Sequence, residues 1–141
     1  MENGKYDSVI VAKFIIAKAN ERGHLVNMTK VQKLLYIAYG IFLAVKGERL
    51  TDEHPQAWPF GPVFPRTRNK LLKADFYGIV LGNPDLLHIS SDPEADSLVN
   101  SVFRSFGEWS ASQLSEWSHS EGSPWERTVS SEGFKWGDRI L

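Results

Sequence analysis

Four histidines, His24, His54, His88 and His119, are the side chains best suited to chemistry near neutral pH, because imidazole serves both as metal ligand and as acid–base group. They are widely spaced, each in or beside a predicted loop or helix end. No pair has the one-turn spacing of a helical zinc site, and no HExxH occurs. Coordination would need the fold to bring three of them together; solvated loop histidines are the reading that the spacing favours. Asp52-Glu53 is a vicinal acidic pair of the kind used in acid–base work. Adjacent side chains usually diverge, so a solvated turn is expected there. The chain has no cysteine, which excludes a disulfide framework and a thiolate metal site. Gly-x-Ser-x-Gly, a Walker loop and GxGxxG are also missing. The expectation is a protein that binds rather than catalyses, without a cofactor.

Binding to nucleic acid has some support in residue type. Arg66, Lys70 and Lys73 share a face of the helix expected after Pro65, with Arg68 and Lys46 nearby in sequence. Such a face neutralises phosphates, and Trp58 and Phe60 are residues on which bases stack. Against this stands a pI near 6.4 and an uneven charge distribution. Residues 1–73 hold 12 Lys/Arg and 6 Asp/Glu, whereas residues 74–141 hold 4 and 11. The acidic half would repel a phosphate backbone, so a nucleic-acid regulator is the alternative reading. An ordinary mixed surface is the expected outcome, and a basic face that steers an acidic partner is the sharper one.

The most distinctive element near these residues is Ala57-Trp58-Pro59-Phe60-Gly61-Pro62-Val63-Phe64-Pro65. Three prolines fix φ and remove donors, and Gly61 can take a positive φ. Trp58 is expected in the core, since a tryptophan buries about 150–250 Å². Phe60, Pro62 and Phe64 are expected to stay partly exposed as a rigid apolar anchor, with Arg66 at its polar rim and Lys33 and Tyr36 beside it.

Helices must position this loop. Lys5 to Glu21 reads as a first helix with a wide apolar face, stopped at Gly23. A second runs from Asn27 or Met28 to Lys46 and ends at Gly47, with Val31, Leu34, Leu35, Ala38, Ile41, Phe42 and Val45 as one buried stripe. Pro65 opens a third, through about Lys73. Residues 76–90 read as a small hairpin or an irregular loop. Asp92-Pro93 starts a fourth helix, ending near Gly107 and carrying Leu98, Val99, Val102, Phe103 and Phe106. Ser110 to Gln113 fits a capping box for a short helix that Gly122 ends, and Ser123-Pro124-Trp125-Glu126 fits another. Trp117 and Trp125 then flank a tight corner, placed to pack together or on the second helix. The tail from Glu132 shows no period. At 141 residues, 42% hydrophobic and 23% charged, the chain fits one soluble domain, residues 1–141. The expected fold is mainly α, a compact bundle of five to six helices with at most a short β element around Trp58 or Ile79. No apolar run approaches the roughly 18 residues of a membrane span, and MENGKYDS lacks the features of a signal peptide. A cytoplasmic location is expected.

Lys33-Leu34-Leu35-Tyr36, Ala57-Trp58 with Phe60-Gly61-Pro62-Val63, and Ser123-Pro124-Trp125, in that order, resemble the signature of the Panacea domain, the SocA-like antitoxin family, also described as phage-associated. The resemblance extends from about residue 5 to about residue 130. It implies a bacterial antitoxin that neutralises a cognate protein toxin by binding it, or in one branch hands the toxin to a protease as an adaptor. The alternative is a phage-associated interaction module. The partner-binding residues expected on this basis are Lys33, Tyr36, Trp58, Phe60, Gly61, Pro62, Phe64, Arg66, Lys70 and Trp125. Residues 74–92 match no motif of the family, and further helical sequence is expected beyond the Ser-Pro-Trp motif.

Overall fold

The computed structural model describes residues 4–59 and 61–140, so Phe60 lies outside the described residues. Among them the chain is mainly α-helical: α1 (Ser8–Glu21), α2 (Met28–Lys46), a two-stranded hairpin of β1 (Gln56–Trp58) and β2 (Gly61–Val63), then α3 (Pro65–Leu71), α4 (Leu87–Ser90), α5 (Pro93–Phe106), α6 (Ala111–Ser118) and α7 (Pro124–Val129).

Helix α1 begins three residues later than its periodicity suggests. The Lys5 and Tyr6 N–H groups donate to the Arg49 and Leu50 carbonyls at 3.0 and 2.9 Å, so that stretch is extended, and the Asp7 carboxylate caps the helix by accepting the Val9 N–H at 2.8 Å. Val11, Ala12, Phe14, Ile15, Ile16, Ala17 and Ala19 are all buried. A helix apolar on nearly every side belongs at the centre of a core, and α1 touches α2, α3 and α4.

Helix α2 has the bounds its caps dictate. Asn27 accepts the Lys30 N–H at 2.8 Å, and Gly47 ends the helix at φ 69°. Its stripe is buried at Val31, Leu34, Leu35, Ala38 and Phe42, but Ile41 and Val45 are exposed. The physical reason is length: at about 1.5 Å per residue, the 19-residue α2 outruns the 14-residue α1 by about 7 Å. Its last turns run past α1 and reach α5 through the Lys46–Glu94 ion pair. Among the described residues α2 is also the one helix long and apolar enough to span a membrane, although most of it is buried in the fold.

Part of the uneven charge distribution is closed within the molecule. Lys18 pairs with Asp96, Lys46 with Glu94 at 2.8 Å and Lys5 with Asp92 at 3.1 Å. Arg22 donates to Asn100 at 2.7 Å, and the buried Lys30 ammonium donates to the Gly107 carbonyl, just past the end of α5, at 2.6 Å. Basic side chains of the first half thus clasp α5, acidic at its start and dipole-negative at its end.

The β element forms around Trp58, with Gln56 opposite Val63 and Trp58 opposite Gly61, and not around Ile79. In residues 76–90, Asp75 and Asn83 accept the Tyr77 and Asp85 N–H groups and start 3-10 turns at Phe76–Gly78 and Pro84–Leu86, the latter running into α4. Local capping by short polar side chains wins over the apolar runs that suggested a hairpin. The tail is pinned rather than free of structure: the Ala57 N–H donates to the Asp138 carbonyl at 2.7 Å, Gly137 to Ala57 at 2.9 Å and Ile140 to Pro55 at 3.1 Å.

Candidate functional site: a lysine-pinned hairpin beside an apolar groove

Two consecutive polar residues on α2 hold the hairpin. Gln32 acts on Phe64 as a second peptide group would: its Oε1 accepts the Phe64 N–H at 2.7 Å and its Nε2 donates to the Phe64 carbonyl at 3.2 Å. Lys33 donates to the Pro62 carbonyl at 2.9 Å and is 2% exposed. Burial pushes its ammonium down to about 8. Gly61 sits over this lysine at φ 115°. A Cβ there would lie 2.9 Å from Lys33 Cε, 3.0 Å from Ser118 Oγ and 3.1 Å from His119 Nε2, so both backbone and packing demand glycine.

The far side of the hairpin is held by α7. Ser123 caps that helix by accepting the Glu126 N–H at 3.1 Å, and Pro124 occupies its first turn. The capping box expected there is only half made, because the Ser123 N–H donates to the Ser120 carbonyl and the Glu126 carboxylate accepts from Ser130. At Ser110 both halves are present. Trp125 donates from Nε1 to the Trp58 carbonyl at 3.0 Å and stacks on His119, with ring centres 3.9 Å apart and planes 20° apart. Trp117 packs instead on Phe106 at 5.5 Å, so the two tryptophans of the corner do not meet.

These positions revise the expected surface. Phe64 is fully buried and makes an edge contact with Tyr39 at 5.7 Å, and Pro62 is buried as well. Neither forms an exposed anchor, because Gln32 and Lys33 draw the β2 backbone down onto α2. Trp58 is half-buried rather than core, its Nε1 donating to Gln56 at 3.1 Å and the Arg68 guanidinium 5.7 Å above its ring. Arg66 is tied to Asp52 at 2.6 Å and to Asp7 at 3.4 Å, which removes it from a free basic face, while Lys70 is exposed. Burial raises the Asp52 carboxyl, but the Arg66 guanidinium and the Ser8 N–H, which both donate to it, together outweigh this and hold it below the usual range. Glu53 is no solvated turn residue. It accepts the Arg66 and Thr67 N–H groups and the hydroxyls of Ser8 and Thr67, and so caps α3, which lacks a cap of its own.

The histidines are engaged structurally, His24 on Phe103, His54 on Arg49, His88 on Tyr6 and His119 on Trp125. No group of three or more His, Asp or Glu placed to hold a metal ion occurs among the described residues. Gln32 and Ser118 escaped the sequence reading, and His119 entered it only as a solvated loop histidine, whereas it stacks on Trp125 beside Gly61. For Gln32 the signal was a polar residue just before Lys33 inside an apolar run; nothing local marked Ser118.

Tyr36 lines an apolar groove of about 800 Å³ between α2 and the α6–α7 corner, together with Ile41, Leu43, Phe106, Trp117 and Pro124. Ile41, Leu43 and Trp117 are 37%, 41% and 41% exposed. The fold thus sets a hydrogen-bonded internal junction beside an open apolar groove.

The blocks that meet at this junction are those of a known family. The family model for the SocA-like antitoxin, Panacea domain, matches residues 31–126, and the chain belongs to that family. Antitoxin SocA from Caulobacter vibrioides (strain NA1000 / CB15N) is 33% identical over 124 residues, covering 77% of this chain. The chain spans 62% of that relative's length. No solved structure matches.

Proposed function

We propose that this chain is an antitoxin that acts in the cytoplasm and neutralises a cognate protein toxin by binding it directly, without catalysis. The observation that carries the reading is family membership, from the match over residues 31–126 and the similarity to a protein named as an antitoxin. The geometry supports it: Lys33 holds the Pro62 carbonyl, Gln32 the Phe64 backbone and Trp125 the Trp58 carbonyl, and preorganisation of this kind lowers the entropic cost of binding.

The test is co-expression. The protein encoded by the reading frame adjoining this chain's gene, expressed alone, should arrest growth, and this chain should restore growth with that protein's half-life unchanged. Rescue that instead shortens its half-life and requires a cellular protease assigns the adaptor mode. Failure to rescue, with a salt-sensitive shift of a DNA or RNA probe at physiological ionic strength, would replace the antitoxin reading by the regulatory one.

A further inference from the structure

The hairpin has two edges, and they are held in different ways. On the β2 edge the Pro62 carbonyl and both backbone groups of Phe64 are bonded to side chains of α2, so that edge is closed by the core. The β1 edge offers the Ala57 N–H and the Pro55 and Ala57 carbonyls. These meet the Asp138 carbonyl and the Ile140 and Gly137 N–H groups of the tail, with Gln56 opposite Arg139 in antiparallel sense. A sheet edge covered by its own chain is shielded from other chains. The tail also displays how an extended segment binds there.

The tail is held mainly by these three backbone bonds. Lys135, Trp136, Asp138 and Arg139 are exposed, and the Trp136 ring centre stands 6.3 Å from that of Trp125. The tail bends at Gly133 and Gly137, with φ 79° and 96°. Arg139 lines a polar pocket with Asp52, Glu53, His54 and Gln56, yet makes no ion pair among the described residues. Asp52 there accepts from Arg66 and the Ser8 N–H, and Glu53 from Ser8, Thr67 and the Arg66 N–H. Ile140, the next residue, lines the apolar groove instead. Successive side chains of the tail thus go to opposite surfaces, one polar and one apolar, as a pleat requires. Any extended segment of that alternation can supply the same backbone bonds.

We propose that the β1 edge is a strand-docking site: an extended segment of the toxin pairs antiparallel with Gln56 and Ala57 in place of the tail, with a basic side chain where Arg139 stands and an apolar one where Ile140 stands. The inference rests on the antitoxin reading and adds the place and the mode of the contact. In this mode main-chain bonds supply affinity, and alternate side chains supply selectivity. With Arg139 withdrawn, the residues lining the polar pocket carry two carboxylates, Asp52 and Glu53, against the one guanidinium of Arg66. His54, lowered by burial and by Arg49, adds no charge at neutral pH. A cation is the complement of such a pocket.

The experiment uses the full chain and the purified protein of the adjoining reading frame. The chain has no cysteine, and Gln56 and Arg139 face each other as a pair without mutual hydrogen bonds, where Cα atoms stand about 4.5 Å apart and a disulfide fits. The variant with Gln56→Cys and Arg139→Cys should bind about tenfold or more weakly when oxidised than when reduced, relative to the parent treated alike, and should melt no lower when oxidised. Gly137→Val puts a β-branched residue at φ 96°, so it should loosen the tail and tighten binding severalfold. Hydrogen exchange on the parent complex should release the Gly137 and Ile140 amides and keep that of Ala57 protected. Equal binding with the disulfide formed, or Gly137 and Ile140 amides as protected in the complex as in the free chain, overturns the docking edge and leaves the antitoxin reading standing. A parent that neither binds nor rescues removes the antitoxin reading itself, and the inference with it. A dimer that exchanges tails while toxin binding stays intact assigns the edge to a second copy and overturns the proposal.

Discussion

Replacing Lys33 with methionine keeps much of the length of the side chain and removes an ammonium that is 2% exposed. In the parent that ammonium has a pKa of about 8 against 10.5 for an ordinary lysine, with burial as the cause. A difference of that size disfavours the protonated form in the fold by about 3 kcal/mol. The folded-state value lies below the unfolded one, so from about pH 8 to 10.5 the unfolded chain holds more protons and stability rises with pH. Lys30, also lowered by burial against the opposing charge of Glu108, adds in the same direction. Above pH 10 the sign reverses, because burial raises Tyr6, Tyr36 and Tyr39 and the unfolded chain releases those protons first. Between pH 7 and 9.5 the parent should therefore gain about 2 kcal/mol, or roughly 6 °C in melting temperature. At pH 7 two effects oppose each other in Lys33→Met: relief of charge burial, about 3 kcal/mol, and a Pro62 carbonyl left without its donor, about 1 to 3 kcal/mol. The melting temperature should change little at pH 7, and most of the rise towards pH 9.5 should vanish. Calorimetric melts of both proteins at pH 7, 8, 9 and 9.5 decide the matter. A parent profile that is flat, or a variant that keeps the full slope, would refute the assignment of Lys33 as a protonated lysine buried under the hairpin.

Phe64→Ala should lower stability by about 3 to 5 kcal/mol, as for a core phenylalanine, and rescue should fail only in step with unfolding, read as melting temperature beside rescue at two temperatures. Leu35→Asp places a carboxylate among fully buried side chains at a cost of several kcal/mol and should abolish the cooperative transition, whereas Val45→Glu, 73% exposed, should leave it within about 0.5 kcal/mol. Glu53→Ala removes the cap of α3 and leaves the Ser8 and Thr67 hydroxyls, both buried, without an acceptor; urea unfolding should show a loss of about 2 kcal/mol, and a loss under 0.5 kcal/mol would mean that α3 does not depend on this carboxylate.

Local chemistry in the sequence was enough to set both ends of α2 and α5 and the starts of α6 and α7. Asn27 and Gly47, Asp92 and Gly107, Ser110 with Gln113, and Ser123 with Pro124 satisfy or remove backbone groups within a few residues, so no distant contact is needed to place them. The buried stripe of α2 was legible as far as Phe42 for the same reason, because periodicity tells which face is apolar; it does not tell where the partner helix stops. What only the tertiary structure decided involves groups far apart along the chain. Glu53 caps a helix that starts twelve residues later, Lys33 and Gln32 pull Pro62 and Phe64 inward, and Trp125 closes on Trp58. Rigid, apolar and proline-rich describes a core plug and an exposed anchor equally well. The choice between them was made by two polar side chains of α2 that offered the loop's backbone its hydrogen bonds inside the fold, since a buried carbonyl or N–H goes where a partner awaits it. The groove likewise forms where α2 runs beside the α6–α7 corner, between residues far apart along the chain. That arrangement of neighbours is written in no single segment of the sequence.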